Sequence, residues 1–149
     1  MSHGVPPSDV AFTPTVKAIQ EAKGSRASYA AMEAKGGWQT TVDARLEALL
    51  AVARSAYLAT ANADGQPYIQ HRGGPPGFIR VLGERTVGFA DYAGNKQYIS
   101  MGNLSENAKA QLFLMDYQNR RRVKIFGTAR MVEGEEALLE QLMPAGYRA

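Results

Sequence analysis

The sequence predicts a mainly β fold, a six-stranded antiparallel barrel with peripheral helices, from three observations. Short segments of strand composition recur at 55–61, 66–72, 77–82, 86–91, 109–116 and 121–132, most of them separated by tight-turn signals. A strong amphipathic helix at 41–54 precedes them, and further helices are inserted near 97–102 and appended at 133–143. No internal repeat or low-complexity stretch interrupts the pattern.

Taken in order, residues 1–12 read as a flexible N-terminal arm and residues 13–149 as a single domain. Thr13-Pro14 opens a first helix, with Val16 and Ile19 as its apolar stripe and Gly24 as its stop. A second short helix from Ser25 to Ala34 carries Tyr29 and Met32 and is broken by Gly36-Gly37-Trp38. In the helix 41–54, Val42, Leu46, Leu49, Leu50 and Ala53 share one face, while Asp43 in the first turn and Arg54 in the last suit the macrodipole. Asn62-Ala63-Asp64-Gly65 then joins the first two strands as a hairpin, Gly65 supplying the positive φ. The second strand runs through Gln70-His71-Arg72 into Gly73-Gly74-Pro75-Pro76-Gly77, a cationic glycine-rich bend that pairs poorly in a central sheet and suits an anionic ligand. The final helix begins acidic, uses Ala137, Leu138, Leu142 and Met143, and stops at Pro144.

Composition narrows the function. With no cysteine, disulfides, thiolate nucleophiles and Cys-based metal or iron–sulfur sites are excluded. Only two histidines are present and His3 lies in the arm, so no metal site is expected within one chain. No apolar run reaches the ~20 residues of a membrane span, and residues 1–12 lack the apolar core of a signal peptide, so a cytoplasmic protein is expected. Seventeen Lys+Arg against fourteen Asp+Glu give a net charge of +3, a small excess that disfavours a nucleic-acid-binding role. The densest basic cluster, Arg120-Arg121-Arg122 with Lys124, admits three readings: a solvated turn, a nucleic-acid patch, or a strand whose alternation sends Arg120 and Arg122 one way and Arg121 the other, so that one arginine enters a site while its neighbour meets solvent.

Two segments are suited to a phosphate, which is held by Arg forks, Lys charges and backbone N–H groups at a helix start. One is Gln70-His71-Arg72-Gly73-Gly74; the other is Gly94-Asn95-Lys96-Gln97 at the mouth of the short helix, which by itself also fits a solvated cap. His71 is open to three roles: general base, hydrogen-bond donor to a cofactor, or structural residue. No nucleophile elbow, Walker loop or dinucleotide fingerprint occurs. Asp64 is explained by its turn, and the sequence shows no partner for Asp91 or Asp116.

The runs ATANADGQPYIQ, FADYAGNKQ, NLSENAKAQLFL and RRRVKIFGTARMV occur in that order, with QHRGGPPGF after the first. Together they resemble the pyridoxamine 5′-phosphate oxidase-like proteins, which are FMN-binding split β-barrels, and in particular their predicted flavin-nucleotide-binding branch. The resemblance covers about 54–133 well and 12–38 loosely. It implies an FMN-dependent oxidoreductase acting on a small redox substrate, and a homodimer with two FMN sites lined by both chains. It implies cofactor contacts from Gln70, His71, Arg72 and Gly73, from Asn95, Lys96 and Gln97, and from Arg122 near the isoalloxazine. The chain departs from the true oxidase, which has an Arg-x-x-x-x-Lys spacing where this sequence has Gln70 and Pro75, and whose C-terminal Trp and Arg segment has no counterpart here; pyridoxamine phosphate is therefore not the expected substrate. Catalytic side chains are not identified, because a flavin carries the redox chemistry itself. A deazaflavin-dependent reductase and a non-catalytic flavin-binding protein are the alternatives of the same fold.

Overall fold

The computed structural model describes residues 4–91 and 97–142. The chain divides into two compact units, Met1–Val42 and Asp43–Ala149.

In the first unit a 3-10 turn, Pro7–Val10, precedes helices α1 (Pro14–Lys23) and α2 (Arg26–Ala34). The Thr13 hydroxyl accepts from the Val16 N–H at 3.2 Å, and Gly24, at φ +86°, ends α1 in the left-handed conformation that only glycine adopts without strain. The two helices are tied by Arg26, which donates to Gln20 Oε1 and Glu33 Oε2 at 2.6 Å each. The Phe12 ring packs edge-on to Tyr29 and Trp38, with centroids 5.3 Å from both. Within the 1–12 segment, Ser8 is fully buried and Asp9 pairs with Lys17 at 2.8 Å.

The second unit holds α3 (Ala44–Val52), β1 (Ser55–Ala61), β2 (Pro67–Gly73), β3 (Arg80–Gly83), β4 (Thr86–Gly88), α4 (Ile99–Glu106), β5 (Lys109–Asp116), β6 (Arg121–Thr128) and α5 (Glu136–Leu142). Helix α3 is shorter than the expected 41–54, because Asp43 is its N-cap, accepting from the Leu46 N–H at 2.8 Å, and Ala53 already turns to extended backbone. The six expected strands all form, but as a four-stranded antiparallel sheet ordered β2-β1-β5-β6 and a separate β3–β4 pair. Among the described residues they do not make one closed barrel. The prolines in Gly74-Pro75-Pro76-Gly77 have no N–H to give a ladder. β4 ends at Gly88 rather than 91, and β6 at Thr128 rather than 132, so neither offers length for closure.

The glycine-rich bend turns back onto the end of α3. Gly74 N–H donates to Arg54 O and Gly77 N–H to Ala53 O, both at 3.0 Å, so two of its amides satisfy helix-end carbonyls and are not free for an anion. A Cβ on Gly74 would lie 2.7 Å from Phe78, and Gly77 sits at φ +77° with its would-be Cβ 3.0 Å from Ala51 O. Both glycines are thus required by close approach, and together they place Phe78 and Ile79 in the core. That core joins Leu50 of α3, Ala56 and Leu58 of β1, Phe78 and Ile79, and Leu112 and Leu114 of β5. Phe78 meets Phe89 edge-on at 6.0 Å.

Candidate functional site

Strand alternation decides which side chains of β2 can act together. In the β1–β2 ladder, Ala56 lies opposite Arg72, Leu58 opposite Gln70 and Thr60 opposite Tyr68. Since Ala56, Leu58 and Thr60 are buried, Gln70 and Arg72 stand on the inner face of the sheet, about 6.8 Å apart along the strand. His71 stands on the outer face, where its ring meets Tyr57 edge-on at 5.5 Å. The structure therefore brings Gln70 and Arg72 to one side and His71 to the other. Gly73 closes the strand opposite Ser55, and a Cβ there would lie 3.2 Å from His71 Cε1.

Helix α4 lies against the β1–β2 hairpin through three bonds. Ser100 Oγ donates to Gln70 Oε1 at 3.1 Å, Asn103 Nδ2 donates to Thr60 Oγ1 at 3.0 Å, and Glu106 Oε2 accepts from the Ala63 N–H at 2.9 Å. Ser100 is itself buried. The helix opens after Tyr98, whose left-handed φ of 56° sets the chain direction, so its first residue is Ile99 and not Gln97. Gln97 lies just ahead of that start, whereas Asn95 and Lys96 lie outside the described residues.

Arg72 is the centre of the inner-face group. Its Nη1 meets Asp91 Oδ1 at 2.6 Å, with 16% of the Arg72 side chain and 35% of the Asp91 side chain exposed. Among the described residues its buried Nε has no hydrogen-bond partner, and Asp91 Oδ1 likewise accepts no hydrogen bond, so the two groups meet as an ion pair only. A guanidinium so enclosed, with part of its fork unused, can take an anion in bidentate fashion. Asp91 and Ser100 are the residues that sequence reasoning did not place. Each comes to β2 from another element, nineteen and thirty positions on from its partner, and no local spacing signals either contact.

Arg122 falls elsewhere. It pairs opposite Met115 on β6, on the same face as Phe113, Tyr57 and His71, while Arg121 lies opposite Asp116 on the other face. Arg122 is thus on the outer face at the far edge of the sheet, three strand spacings or roughly 14 Å from β2. One chain does not join it to Gln70 and Arg72. Asp116 serves the turn that follows it: hydrogen bonds from the Asn119 side chain and backbone hold its carboxyl below the ordinary value. Among the described residues no three potential metal ligands cluster, and no helix is long and apolar enough to cross a membrane.

The family profile described as pyridoxamine 5′-phosphate oxidase matches residues 42–148. Two solved structures of HupZ from Group A Streptococcus share the fold at 19% sequence identity. A histidine-to-alanine variant gives a TM-score of 0.53 over 69% of this chain and 86% of its own. The second HupZ structure gives 0.51 over 68% and 80%. Among curated proteins none matches this chain.

Proposed function

The chain belongs to the pyridoxamine 5′-phosphate oxidase family, and from that membership we propose that it is an FMN-binding oxidoreductase whose split barrel is completed as a homodimer. The observation that carries the reading is the enclosed Arg72 guanidinium with its unpartnered Nε, a donor set that fits a phosphate. Arg72 would hold the phosphate with help from Gln70 and, in the segment leading to α4, from Asn95, Lys96 and Gln97. Gly73 would let the chain pass close to the ligand. Bound FMN would supply hydride or electron transfer to a small redox substrate. The protein's part is to grip one end of the cofactor, orient its ring and keep water from it.

The dimer is supported by the outer face of the four-stranded sheet. The register places Ile69, Tyr57, Phe113, Met115 and Phe126 on it together, and Ile69 is 65% exposed. The same register sets His71, Gln111, Arg122 and Lys124 among them, and exposed apolar side chains grouped in this way suit an association surface. An interface there would bring Arg122 and His71 to the subunit boundary, where a site lined by two chains could use residues that one chain keeps apart. A cytoplasmic setting accords with a cysteine-free flavoprotein.

The test is the chromophore and mass that co-purify with the full chain, together with light scattering. FMN's two visible bands in a dimer are expected. A deazaflavin spectrum would replace the cofactor, bound FMN without turnover by any reductant would leave a flavin carrier, and a colourless monomer that binds nucleic acid in a salt-dependent way would defeat the reading. The two neighbouring arginines give a sharper check. Arg122→Ala is expected to shift the flavin spectrum or potential, and Arg121→Ala, on the opposite face, to leave both unchanged; equal effects would rule out the assigned register.

A further inference from the structure

We propose that Asp91 is a specificity-determining residue of the Arg72 site: its carboxylate is an internal competitor for the guanidinium, and it selects phosphate monoesters over carboxylates. The inference rests on the reading of Arg72 as an anion-binding group. Asp91 engages the fork at a single point, Nη1 to Oδ1 at 2.6 Å, and leaves the buried Nε without a partner. An arginine paired to its best advantage gives two parallel N–H bonds to one carboxylate. Here the pair is incomplete, and the ligand that completes it must reach donors that Asp91 does not.

A carboxylate on the same chain acts at a high effective concentration, of order millimolar or above, so a free monocarboxylate at ordinary concentration does not displace it. A phosphate monoester carries about −1.5 to −2 charge and three acceptor oxygens, and can take Nε and both Nη groups at once. On the same face Gln70 has its Oε1 occupied by Ser100, which leaves its amide N–H groups as what Gln70 can offer such a ligand. The Asp91 side chain is 35% exposed although its Oδ1 is buried and accepts no hydrogen bond, so displacement moves that oxygen from a buried position towards water.

Calorimetric titration of the full chain and of Asp91→Asn, at fixed ionic strength, with inorganic phosphate, acetate, FMN and riboflavin tests this. Asp91→Asn is expected to bind phosphate and FMN about tenfold tighter, to bind acetate tighter by the same factor so that a monocarboxylate now occupies the site at concentrations where the natural chain excludes it, and to bind riboflavin as the natural chain does. Unchanged or weaker phosphate binding in Asp91→Asn, or no phosphate binding by either protein, would overturn the proposal. If phosphate follows the expected pattern while neither flavin binds, the flavin reading fails and the role of Asp91 stands. If FMN binds the natural chain and Asp91→Asn leaves phosphate and FMN affinity alone, the reverse holds. Should Asp91→Asn not fold, the natural chain suffices: the Asp91 carboxyl carbon must move in its NMR spectrum on phosphate titration, and a carbon that stays fixed at saturation overturns the proposal.

Discussion

Phe78→Ala is expected to lower the free energy of unfolding by about 3–5 kcal/mol, the largest stability effect of any single change considered for this chain. Phe78 is 1% exposed and packs between the end of α3, the inner face of β1 and β5, and the Phe89 ring. Its position depends on the bend before it, since Gly74 leaves room for the ring and the Phe78 N–H closes a turn onto Pro75 O at 3.0 Å. Deleting the ring removes its transfer free energy and leaves a cavity whose walls belong to three elements, so collapse is limited. Urea titration measures the effect as a fall in midpoint at unchanged slope. Gly74→Ala is expected to destabilise in the same assay by pressing on the same ring from the other side, because a Cβ 2.7 Å from Phe78 forces that side chain to move. A wild-type midpoint in both variants would mean that the bend does not set the core.

Arg72→Ala is expected to weaken FMN binding at least tenfold and up to about a hundredfold, the loss of one charged hydrogen bond at roughly 1.5–3 kcal/mol. The change also leaves the Asp91 carboxylate without its partner beside the place the phosphate would take, which adds repulsion to the lost attraction. Riboflavin is the control: it has no phosphate, and its affinity should be the same for the variant and the natural chain. Fluorescence quenching of the flavin on titration reads both. Equal loss for FMN and riboflavin would place Arg72 at the ring and not at the phosphate, and no loss for either would remove it from the site.

Much of the fold was legible because its signals are local. The β1–β2 hairpin could be read from Asn62 to Gly65, and there Asn62 Oδ1 accepts from the Gln66 N–H at 3.0 Å while Gly65 takes φ +85°. Thr13-Pro14 and Gly24 marked both ends of α1 for the same reason, since caps are short-range chemistry. The start of α4 is less legible. Gly94-Asn95-Lys96-Gln97 suggested a helix start at Gln97, but the helix begins after Tyr98, where a left-handed backbone at a non-glycine residue breaks the local rule.

Neighbouring residues alone establish that β2 carries Gln70, His71 and Arg72 in succession, and that Arg121 and Arg122 follow one another into β6, because a strand's composition and the turns that bound it are local. Which of them meet was decided only in three dimensions. A strand sends successive side chains to opposite faces, and only its pairing with the buried face of β1 reveals that Gln70 and Arg72 look inward and His71 outward. The same ladder puts Arg122 at the far edge of the sheet. The glycine-rich bend, which by composition suits an anion, instead has its amides of Gly74 and Gly77 bonded to Arg54 O and Ala53 O just past the end of α3, partners that lie 20 and 24 positions earlier in the chain. Asp91 and Ser100 reach β2 across similar separations. Contacts of that span form when burial of Leu50, Leu58, Phe78 and Leu112 in one core fixes where each element lies, and no local spacing encodes them.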